Sequence, residues 1–171
     1  GVTLNPDTEV VATLGSKEGF ANLAQAITAP GDVILAPNPS YPIHSFGFIM
    51  AGASIRHVKA LSPEEYLSGL GTAAKFSVPK PTVMVLCYPG NPTSQVVDLD
   101  FYKDAVAFAK KHELILLSDV AYSEIYFDEP PPSVLQVNGA KDVAVETSTL
   151  SKTYNMAGWR VGCAAGNERL I

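Results

Sequence analysis

The 171-residue chain is 47% hydrophobic and 17% charged, which fits one globular domain with a sizeable core and excludes a disordered polymer. Its formal net charge of -5, with no long run of lysine or arginine, excludes a nucleic-acid surface. No apolar stretch approaches the ~20 residues of a membrane span and no signal-peptide pattern opens the chain, so the cytoplasm is the expected location.

In chain order, short apolar runs alternate with helical patterns, which predicts parallel β/α layering. Glu9 to Leu14 reads as a strand ending at Gly15-Ser16. Lys17 to Thr28 follows as a helix, with Phe20, Leu23, Ala24 and Ile27 at helical spacing. Val33 to Ala36 is a strand ended by Pro37 and Pro39, Tyr41 to Ala51 an apolar helix, and Ser54 to Val58 a short strand. In the mixed stretch Ala60 to Pro81, a helix is predicted at Pro63 to Leu70. Thr82 to Cys87 is a continuous apolar run, hence a strand covered on both faces. Leu99 to Lys111 is amphipathic, with Phe101, Val106, Phe108 and Ala109 facing the sheet. Leu114 to Ser118, Asp142 to Thr147 and Val161 to Ala165 complete the strands.

The two cysteines, Cys87 and Cys163, lie in apolar runs and are expected to be buried free thiols rather than a disulfide or metal site. The chain begins at Gly1 without a methionine and stops at Ile171, where Gly166 to Ile171 starts a helical pattern. A piece of a longer polypeptide is expected.

Parallel sheets place working residues at the carboxyl ends of strands. After the first strand, Gly15-Ser16-Lys17 turns into a helix whose free amides suit an anion, although many helix starts bind nothing. After the second, Tyr41 either stacks on a flat ligand or belongs to the core. Asn91, bracketed by Pro89 and Pro92, either holds a specific hydrogen bond or sits in a plain turn. Asp119, with Tyr122 three residues on, either meets a cation or strong donor or caps the following turn. The last segment runs from Ser148 through Thr149, Ser151 and Lys152 to Arg160 and Gly162. A lysine amine condenses with an aldehyde to give a Schiff base, and an arginine fork with nearby hydroxyls suits a phosphate dianion. An anion cradle, a stacking ring, an amide, a carboxylate and a lysine–arginine pair are together what pyridoxal 5'-phosphate requires.

These motifs, Gly15-Ser16-Lys17-Glu18-Gly19, Pro39-Ser40-Tyr41-Pro42, Gly90-Asn91-Pro92-Thr93, Asp119-Val120-Ala121-Tyr122 and Ser151-Lys152 through Gly158-Trp159-Arg160-Val161-Gly162, stand in one order across the chain. In that order the chain resembles the class I and II aminotransferases of the aspartate aminotransferase fold, and within them the bacterial alanine (glutamate–pyruvate) aminotransferases. The resemblance implies a three-layer α/β/α fold with a mostly parallel sheet, residues 1–171 forming part of the large cofactor-binding domain. It implies that Lys152 forms the Schiff base with pyridoxal phosphate and moves the substrate proton. Asp119 would pair with the ring nitrogen, Asn91 and Tyr122 with the ring oxygen, and Tyr41 would stack on the ring. Gly15, Ser16 and Lys17, with Thr149, Ser151 and Arg160, would form the phosphate site; Thr149 stands where many members have serine. The implied substrates are an amino acid and a 2-oxo acid, alanine or glutamate first, in a homodimer. Other outcomes share the motifs: a β-lyase, another aminotransferase specificity such as LL-diaminopimelate, or a cofactor-binding regulatory domain. The substrate-carboxylate arginine and the partner-subunit tyrosine have no counterpart here, so the 171 residues alone are expected to bind cofactor poorly and to transaminate little.

Overall fold

The computed structural model describes residues 1–171. Seven strands, β1 (Val10–Thr13), β2 (Val33–Asn38), β3 (Ser54–Lys59), β4 (Pro81–Cys87), β5 (Ile115–Asp119), β6 (Ala144–Thr149) and β7 (Gly162–Gly166), form one sheet in the order β1-β7-β6-β5-β4-β2-β3. β2 to β6 run parallel, as predicted. β7 runs antiparallel to both β6 and β1. The reversal goes with its connection: between β6 and β7 lie only the short α5 (Leu150–Thr153) and one 3-10 turn (Ala157–Trp159), with no helix long enough to carry the chain back across the sheet.

The remaining helices, α1 (Ser16–Ile27), α2 (Ile43–Met50), α3 (Pro63–Phe76) and α4 (Leu99–His112), cover both faces of the sheet. On one face Phe20, Leu23 and Ala24 of α1 and Phe48 of α2 pack on Ile34, Val83, Val85, Leu117 and Val145. On the other, Tyr66, Leu70 and Ala74 of α3 and Phe101, Tyr102, Ala105, Val106 and Ala109 of α4 pack on Leu35, Met84, Leu86 and Leu116. The layers are therefore helix, sheet, helix. Alternate residues of each central strand feed opposite cores, which is why those strands are continuously apolar.

Two expectations change. α3 extends to Phe76 rather than ending near Leu70. Gly69 and Gly71 weaken it locally, but Tyr66, Leu70 and Ala74 recur every four residues and bury one stripe on the sheet, and that packing outweighs the glycine cost. Ser62 caps its start by accepting the Glu65 N–H at 3.2 Å, with Pro63 in the first turn. Cys87 is a buried free thiol as expected, but Cys163 is only half-buried. Its neighbour Ala164 turns to the α1 side, leaving Cys163 on the opposite, less covered face of β7. Residues 166–171 close as one turn in which the Ile171 N–H donates to Asn167 O at 3.1 Å.

Candidate active site

The carboxyl ends of β2, β4, β5 and β6 all point to one edge of the sheet, and each delivers a residue there. They meet around a cavity of about 320 Å³ lined by Ser16, Lys17, Tyr41, Cys87, Asn91, Asp119, Ala121, Tyr122, Thr149, Ser151, Lys152, Ala157 and Arg160. Every site residue picked from the sequence lines this cavity except Gly15, which lies directly behind Arg160.

Asp119 is the last residue of β5 and 5% exposed. It caps no helix. Its Oδ2 lies 3.0 Å from His44 Nε2, and its Oδ1 accepts from Thr147 Oγ1 at 3.5 Å. No lysine or arginine pairs with it; His44 and Thr147 are its partners inside the protein, and it also lines the cavity. A carboxylate so placed is suited to a cationic N–H arriving from the cavity. Cys87, at the end of β4, sits beside it; burial pushes the Cys87 thiol up to about 12, with the Asp119 charge adding to the effect, so it is a neutral lining group. The ligand atoms of His44, Cys87 and Asp119 lie within 4.8 Å of one another.

Tyr41 is half-buried just before α2, its ring edge-on to His44 at 5.9 Å between centroids. The Lys17 ammonium stands over the Tyr41 ring at 5.4 Å, so Lys17 brings a side chain as well as a backbone amide to this edge. The Asn91 amide donates to the Tyr122 hydroxyl at 3.4 Å, joining the loops after β4 and β5.

The other end of the cavity is built for an anion. Gly15 adopts φ 87°, a left-handed conformation that costs any other residue strain, and places no side-chain cap over the start of α1. The first amides of α1 are therefore free. A Cβ on Gly15 would lie 2.5 Å from Arg160 Nη2. Arg160 donates from Nη2 to Leu14 O at 2.9 Å and from Nη1 to Ala157 O at 3.1 Å, which fixes its fork while leaving other N–H groups free. Thr149 ends β6 and caps α5, accepting the Ser151 N–H at 3.2 Å, and its hydroxyl lies 3.0 Å from Ser151 Oγ. Lys152 follows in α5, exposed at the cavity mouth. Lys17, Lys152 and Arg160, the Thr149 and Ser151 hydroxyls and a free helix start thus line the same cavity as one buried carboxylate.

His44 is the functional side chain that motif reading passes over. It is wholly buried, and its Nδ1 has no hydrogen-bond partner. The only local signal is its spacing: it follows Tyr41 by three residues, about one helical turn, at the second residue of α2.

The aminotransferase class I and II family model matches residues 1–171. The chain belongs to the class I and II aminotransferase family. It is 65% identical over its whole length to a Rhizobium meliloti (strain 1021) protein named as an aminotransferase, AatC, of which it covers 42%. Over 99% of the chain it is 47% identical to the glutamate-pyruvate aminotransferase AlaC of Escherichia coli K12, covering 42%, and 47% identical to the LL-diaminopimelate aminotransferase of Aquifex aeolicus VF5, covering 44%. Among solved structures, apo-BacF from Bacillus subtilis superposes with a TM-score of 0.93 at 44% identity, over all of this chain and 46% of that one. This aminotransferase chain thus spans less than half the length of the relatives it matches.

Proposed function

We propose that the full protein containing this chain is a pyridoxal 5'-phosphate-dependent aminotransferase moving an amino group between an amino acid and a 2-oxo acid. The observation that carries this is the single cavity holding Lys152, Asp119 and Arg160 at the strand ends of a family member. The residues fit the cofactor. Gly15 leaves open the space that Arg160 and the α1 amides border, and Asp119 is a buried carboxylate without a lysine or arginine partner.

When bound, pyridoxal phosphate would supply an aldehyde that condenses with amines and a ring that accepts electron density from the substrate α-carbon. Ser16 and Lys17 amides, the Thr149 and Ser151 hydroxyls and the Arg160 fork would hold the phosphate. Asp119, oriented by His44 and Thr147, would accept the ring N–H and hold that proton in place. Asn91 and Tyr122 would donate to the ring oxygen, and Tyr41 would lie against the ring. Lys152 Nζ would be the amine that binds the aldehyde and then carries a proton to and from the substrate α-carbon. Residues 1–171 would form part of the large domain of a cytoplasmic homodimer.

Alanine and glutamate, with pyruvate and 2-oxoglutarate, are the first substrates to test, supported by the identity with AlaC. The equal identity to an LL-diaminopimelate aminotransferase makes LL-diaminopimelate the second. The deciding experiment is borohydride reduction of the full-length protein loaded with pyridoxal phosphate, followed by peptide mapping and both assays. Label on Lys152, lost in Lys152→Ala together with turnover, is expected; label on another lysine with turnover intact would overturn the assignment.

A further inference from the structure

Thr147 and Glu146 are neighbours on β6, and between them they hold both ends of the segment that follows β5. At its start the Val120 N–H donates to Thr147 O at 3.0 Å. At its far end Ser133 Oγ donates to the Glu146 carboxylate, 2.9 Å from each oxygen, and the Val134 N–H donates to Oε2 at 3.2 Å. Ser133 in turn accepts the Leu135 N–H at 3.1 Å, and Gln136 Oε1 accepts the Ser133 N–H at 2.9 Å, so the landing point is a closed capping box. Between the two attachments, the backbone from Tyr126 to Pro132 makes no backbone–backbone hydrogen bond. This strap carries Ile125, Tyr126 and Phe127 and forms one wall of a second, larger cleft of about 770 Å³. Asn91 and Tyr122 belong to both the cleft and the 320 Å³ cavity, so the strap stands beside the site.

We propose that Glu146 is a positioning residue that latches the Ile125–Pro132 strap and thereby sets the wall of the cleft through which the site is approached. This rests on the aminotransferase reading of the adjoining cavity. No lysine or arginine pairs with Glu146. The titratable groups facing it are Tyr102 of α4 and Cys163 of β7, both pushed up first by burial and further by the Glu146 charge. From β5 it meets Ser118, its cross-strand partner. The strap's own acids, Glu124, Asp128 and Glu129, are exposed. Burial pushes the Glu146 carboxyl up to about 7, against the lowering effect of Ser133 and Val134.

The contacts give the direction. Ser133 Oγ–H and the Val134 N–H both donate to the Glu146 carboxylate, so removing that acceptor leaves the landing point of the strap unanchored, while an amide oxygen at the same place can still accept.

The test is hydrogen exchange of the Ser133, Val134 and Leu135 amides in the full-length, cofactor-loaded protein, wild type against Glu146→Ala and Glu146→Gln. Protection is expected to fall by about tenfold or more in Glu146→Ala, which removes the acceptor, and to be kept within about threefold in Glu146→Gln, whose amide oxygen still accepts. KM for the amino donor should rise about threefold or more in Glu146→Ala with kcat unchanged, and return towards wild type in Glu146→Gln. Glu146→Ala protection equal to wild type overturns the latch. Loss of cofactor absorbance at Lys152 would instead strike the aminotransferase reading, and the exchange measurement still reports on Glu146.

Discussion

His44 Nε2 lies 3.0 Å from Asp119 Oδ2, and neither residue reaches solvent appreciably. Nε2 is the ring nitrogen that meets the carboxylate, and the buried Nδ1 has no partner, so the contact with Asp119 is the one hydrogen bond of the ring. In the full-length enzyme His44→Ala should lower kcat/KM roughly ten- to a hundredfold, the ~1.5–3 kcal/mol of a hydrogen bond to a charged group. Steady-state kinetics with the preferred amino donor measure it. A variant within threefold of wild type would mean that Thr147 alone orients Asp119.

How much of this was legible in the sequence depends on the range of the interaction. Lys152, Arg160, Asp119 and Asn91 are tied to strand ends by local signals, glycine, proline and apolar runs, so their meeting in one cavity could be anticipated. His44 could not, because what matters about it is a partner 75 residues away. The same holds for Glu146, which reads as an interruption of an apolar strand until Ser133 is brought against it. The direction of β7 was also hidden: direction depends on what lies between strands, and α5 was too short to register as a distinct element. The α3 boundary failed because two glycines spoke locally against a stripe whose reward is tertiary.

Gly15→Ala tests the anion end of the site. The substitution places a Cβ 2.5 Å from Arg160 Nη2 at a backbone φ of 87°. With ψ at 161° this positive-φ backbone is essentially confined to glycine and costs another residue about 1–3 kcal/mol, and the guanidinium must move off Leu14 O to relieve the clash. The expected result in the full-length protein is a melting temperature lowered by a few degrees and cofactor affinity weakened by at least about tenfold. Cofactor titration followed by absorbance gives both the affinity and a loaded state for melting. Unchanged affinity would show that neither Gly15 nor the Arg160 fork borders the phosphate.

Arg160→Lys separates charge from shape at the same place. Lysine keeps the cation but cannot donate simultaneously to Leu14 O, Ala157 O and a ligand oxygen from a planar fork. Cofactor affinity should fall about tenfold, and Arg160→Ala should be weaker again, because it also removes the charge. Equal affinities for lysine and arginine would mean that Arg160 acts only as a point charge.

Tyr66→Phe probes the scaffold beneath the site. Tyr66 of α3 is wholly buried, and its hydroxyl donates to Val85 O of β4 at 2.7 Å, two residues before the strand end that carries Cys87. Phenylalanine keeps the ring packing and leaves the carbonyl one donor short, so the loss should be about 1 kcal/mol rather than the ~3–5 kcal/mol of truncation to alanine. Burial holds the Tyr66 phenol well above its ordinary range, with the nearby Tyr88 adding to the effect. Neither state of the hydroxyl therefore changes charge between pH 6 and 9, and the stability gap between variant and wild type should be flat across that range. Urea unfolding at pH 6, 7.5 and 9 measures it. A gap that shifts with pH would show the phenol ionising, and with it water reaching the core between α3 and β4.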